Sequence, residues 1–101
     1  MQYEIRSAPG VTTVGIRGRL CFSDHALFRE VIGAFDRPPG ERLIFDLGAL
    51  EFIDSSGLGM LIIARDEAKK RQLAFEIENV RAEVKRLMDM ARFDRHFTIR
   101  A

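Results

Sequence analysis

Residue types that cross-link or anchor small proteins are scarce in this sequence. It has one cysteine, Cys21, so an intramolecular disulfide and a cysteine-based metal cage are both excluded. The two histidines, His25 and His96, lie far apart and have no third ligand beside them, so no metal site is predicted. The longest mostly apolar run, Gly57 to Ala64, is too short to span a bilayer, and the N-terminus lacks the apolar stretch of a signal peptide. These features predict a cytoplasmic domain without a cofactor and without direct membrane insertion.

The charge balance also narrows the range of partners. The chain has 16 basic and 15 acidic side chains, and its net charge of +1 gives no reason to expect a nucleic-acid partner. A length of 101 residues fits one domain over residues 1–101, and 47% hydrophobic residues are enough for a core. A monomer is the default expectation for so small a domain.

Strand and helix patterns alternate along the chain. Apolar residues at helical spacing predict helices that begin near Ser23 or Asp24, near Ser55 or Ser56, and after a cap at Asn79. The positions along their inner faces are Leu27, Phe28, Val31, Ile32 and Phe35; Leu58, Leu61, Ile62 and either Arg65 or Ala68; and Val80, Val84, Leu87, Met88 and Ala91.

Strands are predicted in the intervals between these helices. The turn at Pro9-Gly10 joins two strands into an antiparallel hairpin, and a nearly continuous apolar run is typical of a strand buried on both faces. The strand positions are Tyr3 and Ile5; Val11, Val14 and Ile16; Leu43 to Leu47; Leu73, Phe75 and Ile77; and Phe97 and Ile99. The predicted order is β-β-α-β-α-β-α-β. It indicates an α/β fold with a mostly parallel central sheet, an N-terminal antiparallel hairpin and helices packed on the sheet.

The segment from Phe52 to Met60 lies between a buried strand and a helix. The first turn of a helix has unpaired N–H groups and a positive dipole end, so it suits an anion. Gly57 and Gly59 each cost about 1 kcal/mol relative to Ala inside a helix, which favours a site where another surface approaches the backbone. A serine here is exposed and able to hold a phosphate, although Asp54, Ser55 and Ser56 can also serve simply as a helix cap.

The motif Ile53-Asp54-Ser55-Ser56-Gly57-Leu58-Gly59 resembles the signature of the STAS domain as it occurs in anti-sigma factor antagonists. In that family Asp-Ser-Ser-Gly-Leu or Asp-Ser-Thr-Gly-Leu opens the second helix. The similarity covers essentially the whole chain: Gly18-Arg19-Leu20 matches a Gly-x-Leu ahead of the first helix, and residues 43–47 and 84–93 match the buried strand and the last helix with its loop.

The resemblance implies a phosphorylation-controlled partner switch. It places the phosphate on Ser55 and makes Asp54, Ser56, Gly57, Leu58 and Gly59 the frame of a docking patch. The implied partners are an anti-sigma factor that is also a serine protein kinase, which the unphosphorylated protein binds, and a PP2C-type phosphatase that resets the switch. ATP and magnesium would belong to the kinase and not to this chain.

The edge of the implied docking patch departs from the family pattern. Cys21 stands where many members have aspartate, and Arg19 where an acidic residue is frequent. Both changes make this edge less acidic, so the partner is expected to differ from the best-known kinases and could be a response-regulator-linked kinase or phosphatase.

Two other functions use the same segment. One is a STAS subunit without phosphorylation that docks on the ATPase of an inner-membrane lipid-transport ABC complex. The other is a serine-dependent enzyme, which the absence of Gly-x-Ser-x-Gly around Ser55 disfavours. No enzymatic activity is predicted.

Overall fold

The structure is a computed structural model that describes residues 1–92 and the backbone of residues 98–100. Within these residues the chain forms five strands and three α-helices in the predicted order, so the α/β fold class is confirmed. The strands are β1 (Gln2–Ala8), β2 (Val11–Leu20), β3 (Arg42–Ile53), β4 (Ala74–Glu78) and β5 (Thr98–Arg100). The helices are α1 (His25–Ile32), α2 (Ser55–Lys70) and α3 (Ala82–Met90), and 3-10 turns span Phe22–Asp24 and Gly33–Phe35.

The strands lie in one sheet in the order β1-β2-β3-β4-β5. Among the described strands only β1 and β2 pair antiparallel; the other neighbours pair parallel. Each helix connects one parallel strand to its neighbour, and all three connections run in the same direction across the sheet. Because such crossovers are right-handed, the three helices lie on the same face of the sheet. The sheet therefore has one face covered by helices and one open face.

The core lies between the sheet and the helices. Phe45 is at its centre and contacts the rings of Phe28, Phe35 and Phe75 in edge-on or tilted geometry. The buried residues of all three helices join the same cluster as alternate residues of β2, β3 and β4. The open face instead carries charged residues, and there Arg42 donates two hydrogen bonds of 2.9 and 3.1 Å to the buried carboxylate of Glu76.

β3 is longer than the sequence predicts. The predicted strand ends at Leu47, because the apolar pattern breaks at Gly48, whereas β3 stays paired with β2 until Leu20 lies opposite Ile53. The pairing with β2 contains two register shifts, at Gly15/Arg17 and Gly18/Arg19, and these shifts change which residues of β3 face the core. The buried positions of β3 accordingly change from every second residue to every third, at Leu47, Leu50 and Ile53.

The prediction that Asn79 caps the third helix is wrong. Asn79 has a φ of 61°, and its side-chain Nδ2 donates to Asp46 Oδ1 at 3.2 Å. α3 begins three residues later with Arg81 as N-cap. Asn79 tolerates the left-handed conformation better than most residues, so it makes the turn out of β4.

The end of the chain follows the prediction as far as it is described. Val84 and Met88 are the buried residues of α3, and Ile99 pairs with Ile77 in the closing strand. Phe97 and His96 lie outside the described residues. No described helix has the length and apolar character needed to cross a membrane.

Candidate functional site

β3 ends at Ile53 and α2 begins at Ser55, with Asp54 between them, and this junction places Ser55 at the surface. Asp54 has an extended backbone, and its Oδ1 accepts a hydrogen bond from the Gly57 amide at 2.8 Å. The Leu58 amide donates to the Asp54 carbonyl at 3.0 Å, which is the first helical hydrogen bond. Asp54 is therefore the N-cap, and α2 begins at Ser55 as its sequence predicts.

The same carboxylate also contacts the segment after β2. Asp54 Oδ2 accepts from the Phe22 amide at 3.3 Å, and the Asp54 amide donates to the Leu20 carbonyl at 3.2 Å. Asp54 thus connects the end of β2 to the first turn of α2. The site is assembled from two segments that are about 30 residues apart in the chain.

Ser55 is exposed and Ser56 is half-buried. No residue that the structure describes forms a hydrogen bond with the Ser55 hydroxyl. The amides of Ser55 and Ser56 precede the first helical hydrogen bond, so they remain available to an incoming anion. A group added to the Ser55 hydroxyl would therefore break no hydrogen bond of that side chain to a described residue.

The two glycines of the motif have different surroundings. Gly57 is buried, and a Cβ there would collide with the Leu20 carbonyl oxygen and lie 2.6 Å from Ile53 Cγ1. Gly59 is half-buried, and a Cβ there would meet nothing within 4 Å. The surface that approaches Gly57 is therefore the end of the chain's own β2, whereas the backbone at Gly59 is open.

Arg19 and Cys21 flank the site at the end of β2. The Arg19 guanidinium lies 4.4 Å from the centroid of the Phe52 ring, a cation–π contact that keeps this charge at the strand end. Cys21 is half-buried and begins the 3-10 turn, and its amide donates to Asp24 Oδ2 at 2.8 Å. Neither side chain forms a described contact with Ser55.

Asp24 stabilises this turn from its other end. Its Oδ1 accepts from the Met1 amino group at 2.8 Å. Burial raises the pKa of the Asp24 carboxyl, but the hydrogen bonds from Met1 and Cys21, together with the positive charge of the Met1 amino group, outweigh this effect, so the pKa lies below its usual 3.8. The turn that carries Cys21 and Phe22 is thus held by a carboxylate that stays ionised at neutral pH.

Two exposed apolar side chains were missed by the sequence analysis. Phe22 is 70% exposed and lies edge-on to the His25 ring at 5.2 Å between centroids. Ile63 is 54% exposed and follows Ser55 and Gly59 at steps of four along α2, so the three share a helix face. Both residues lie outside the apolar stripes of their elements, and this is the signal in the sequence that could have identified them.

The described residues contain no group of three or more histidine, cysteine, aspartate or glutamate side chains that could hold a metal. His25 contacts Phe22 rather than a serine hydroxyl. In the described part of the chain the site therefore offers a hydroxyl, a capped helix end and exposed apolar surface. This chemistry suits modification and binding.

Comparison with known proteins gives consistent results. The family model for the STAS domain matches residues 2–101. A STAS-domain containing protein of Pseudomonas aeruginosa is 32% identical over 87 residues, which cover 86% of this chain and 85% of that protein.

Solved structures show the same similarity. An anti-sigma factor antagonist from Mycobacterium paratuberculosis is 25% identical, with a TM-score of 0.83 and coverage of 98% of this chain and 84% of that one. An anti-sigma-factor antagonist (STAS) domain protein from Planctomyces limnophilus is 16% identical, with a TM-score of 0.87 and coverage of 98% and 89%. The latter identity supports the fold alone.

Proposed function

This chain belongs to the STAS domain family, and we propose that it is an anti-sigma factor antagonist switched by phosphorylation of Ser55. The similarity to the Mycobacterium antagonist supports the general role. The observation that carries the switch is the position of Ser55: an exposed hydroxyl at the first residue of α2, beside an N-cap aspartate.

Phosphorylation would change the charge of this surface more than its shape. A phosphate adds up to about two negative charges at neutral pH. The free amides and the positive end of α2 stabilise those charges, so the helix tolerates the group. A partner surface that fits neutral Ser55 next to the Asp54 carboxylate would instead meet a cluster of negative charge and dissociate.

The docking surface in this proposal consists of the accessible residues around Ser55. Asp54, Ser56, Leu58 and Gly59 surround the phosphoacceptor. Gly57 is buried and supports this surface indirectly, because the absence of a Cβ allows α2 to pack closely on Leu20. Arg19 and Cys21 form the margin on the β2 side, where a cation and a thiol would favour a partner with a less basic edge.

The proposed partners follow from the family. An anti-sigma factor that is also a serine protein kinase binds the unphosphorylated form and transfers phosphate from its own ATP and magnesium. A PP2C-type phosphatase removes the phosphate. All three proteins would act in the cytoplasm.

Substitution of Ser55 tests the switch. Tagged wild type, Ser55→Ala, Ser55→Asp and the control Ser56→Asp are used to capture proteins from the host's lysate, and bound kinases are identified by mass spectrometry. We expect Ser55→Ala to retain a kinase-type ATPase and Ser55→Asp to lose it by tenfold or more, about 1.4 kcal/mol of binding free energy. Ser56→Asp should reduce capture less.

The same experiment distinguishes the alternative role. Equal binding of a kinase by Ser55→Ala and Ser55→Asp would show that the switch assignment is wrong. Capture of an ABC-type ATPase by all variants, with no phosphate on Ser55 in cells, would indicate the docking subunit of a lipid-transport complex.

A further inference from the structure

The outer edge of the sheet at β1 is unpaired in the described part of the chain. β1 is the first strand in the sheet order, and its recorded pairing is with β2 alone. A free edge offers a row of backbone N–H and C=O groups to another strand, and proteins usually protect such edges by a proline, a bulge, charged side chains (especially lysine) or a very short strand. β1 has seven residues in unbroken register, Gln2–Ala8, and contains neither proline nor lysine.

The residues of β1 are self-complementary. If two copies pair antiparallel about an axis through Ile5, Glu4 of each copy lies opposite Arg6 of the other. Residues that face each other across two strands point to the same side of the sheet. The pairing thus produces two Glu–Arg pairs on the open face and brings the two Ile5 side chains together on the helix face.

The present contacts of these side chains leave them available. Arg6 is 59% exposed and its nearest carboxylates are Glu4 at 3.9 Å and Asp46 at 3.8 Å, both longer than a hydrogen bond. Ile5 is 39% exposed on the outermost strand of the described sheet. In the dimer, Arg6 of each copy would lie directly opposite Glu4 of the other copy. The two Ile5 side chains would bury apolar surface against each other.

We propose that β1 is a homodimerisation edge, at which two copies of this chain join into one ten-stranded sheet through antiparallel pairing centred on Ile5. The proposal differs from the monomer expected from chain length and does not depend on the function of Ser55. Ser55 follows β3, which β2 separates from β1, so the pairing leaves the phosphoacceptor exposed. A contact of seven residues per copy is small, so the dimer is expected to be weak, with a dissociation constant of about micromolar or above.

Charge exchange tests the register directly. Sedimentation equilibrium up to about 1 mM protein measures dimerisation of wild type, Glu4→Arg, Arg6→Glu and the double variant. Glu4→Arg places arginine opposite Arg6, and Arg6→Glu places glutamate opposite Glu4, so each single variant should dimerise about tenfold more weakly. The double variant restores both pairs with reversed polarity and should dimerise like wild type.

Mixing the single variants gives the sharpest result. One chain then carries two arginines at positions 4 and 6 and the other two glutamates, so their heterodimer contains two opposite-charge pairs, and it should exceed both homodimers. Recovery in the double variant also separates loss of pairing from loss of folding. A wild type that stays monomeric throughout would overturn the proposal and make Glu4 and Arg6 guards against association. A mixture that associates no better than its components would overturn it as well.

Discussion

Gly57 shows how a single residue determines the position of the whole site. It has an ordinary helical backbone, so its value lies in the missing Cβ and not in a left-handed conformation. The atoms that a Cβ would meet belong to the Leu20 carbonyl and the Ile53 side chain, neither of which can move away easily. Glycine destabilises a helix relative to alanine. At this position, however, it allows α2 to begin directly against the ends of β2 and β3.

Gly57→Ala and Gly59→Ala should therefore have opposite effects on stability. We expect Gly57→Ala to lower the free energy of unfolding by about 1–3 kcal/mol, because the methyl group must displace backbone. Gly59→Ala is the matched control, and it should raise that free energy by about 0.5–1 kcal/mol, because the site is open and alanine favours the helix. Urea unfolding of both variants measures the difference, and equal effects would contradict the close packing of Gly57 on Leu20.

At the scale of single elements, α2 is stabilised electrostatically at both ends. Asp54 caps its start, and Lys69 and Lys70 lie in its last turn, where the dipole favours cations. Near that end Arg71 donates to Glu67 Oε2 at 2.7 Å, four residues away. This hydrogen bond lowers the pKa of the Glu67 carboxyl below its usual 4.5, since it outweighs the opposing effect of burial.

Removal of this contact should be visible in a titration. In Arg71→Ala the pKa of Glu67 is expected to rise toward 4.5, as measured by NMR of the carboxyl carbon. Because the folded-state pKa is lowered, the contribution of the pair to stability is present at neutral pH and is lost as pH falls through that pKa. Wild type and variant should therefore differ in stability at pH 7 and converge in acid. An unchanged Glu67 titration in Arg71→Ala would contradict the assigned cause.

Elements with a regular pattern were predictable from the sequence, and elements with local irregularity were not. The helical recurrence of Phe28, Val31 and Ile32 predicts α1, and the alternation at Phe75 and Ile77 predicts β4. The second half of β3 is not predictable in this way, because the register shifts interrupt the alternation of buried and exposed residues at Gly48. The role of Asn79 is not predictable from sequence, because asparagine favours both caps and left-handed turns, and only tertiary contacts such as that with Asp46 decide between them.

The same distinction holds for the site. The N-cap role of Asp54 and the exposure of Ser55 could be predicted, because both depend on where α2 begins. The contact between Asp54 and the Phe22 amide could not, because it joins two segments that only the parallel pairing of β2 and β3 brings together. The internal neighbour of Gly57 was unpredictable for the same reason.

At the scale of the whole molecule, the fold separates three surfaces. Helices cover one face of the sheet and leave the other open, β1 forms an unpaired edge among the described strands, and the start of α2 presents Ser55 at the carboxyl end of β3. Ser55 therefore lies away from both the core and the unpaired edge of the sheet. A phosphate on Ser55 would therefore act on a partner and would leave the fold of this chain unchanged.

The most direct test of this account is phosphosite mass spectrometry on the protein isolated from its own cells, with and without treatment by a general phosphatase. The account predicts phosphate on Ser55, in a fraction that varies with growth conditions and disappears after treatment. Ser56 serves as the internal comparison, since it is half-buried and is predicted to stay unmodified. A Ser55 that carries no phosphate under any growth condition would contradict the switch and favour a constitutive docking subunit.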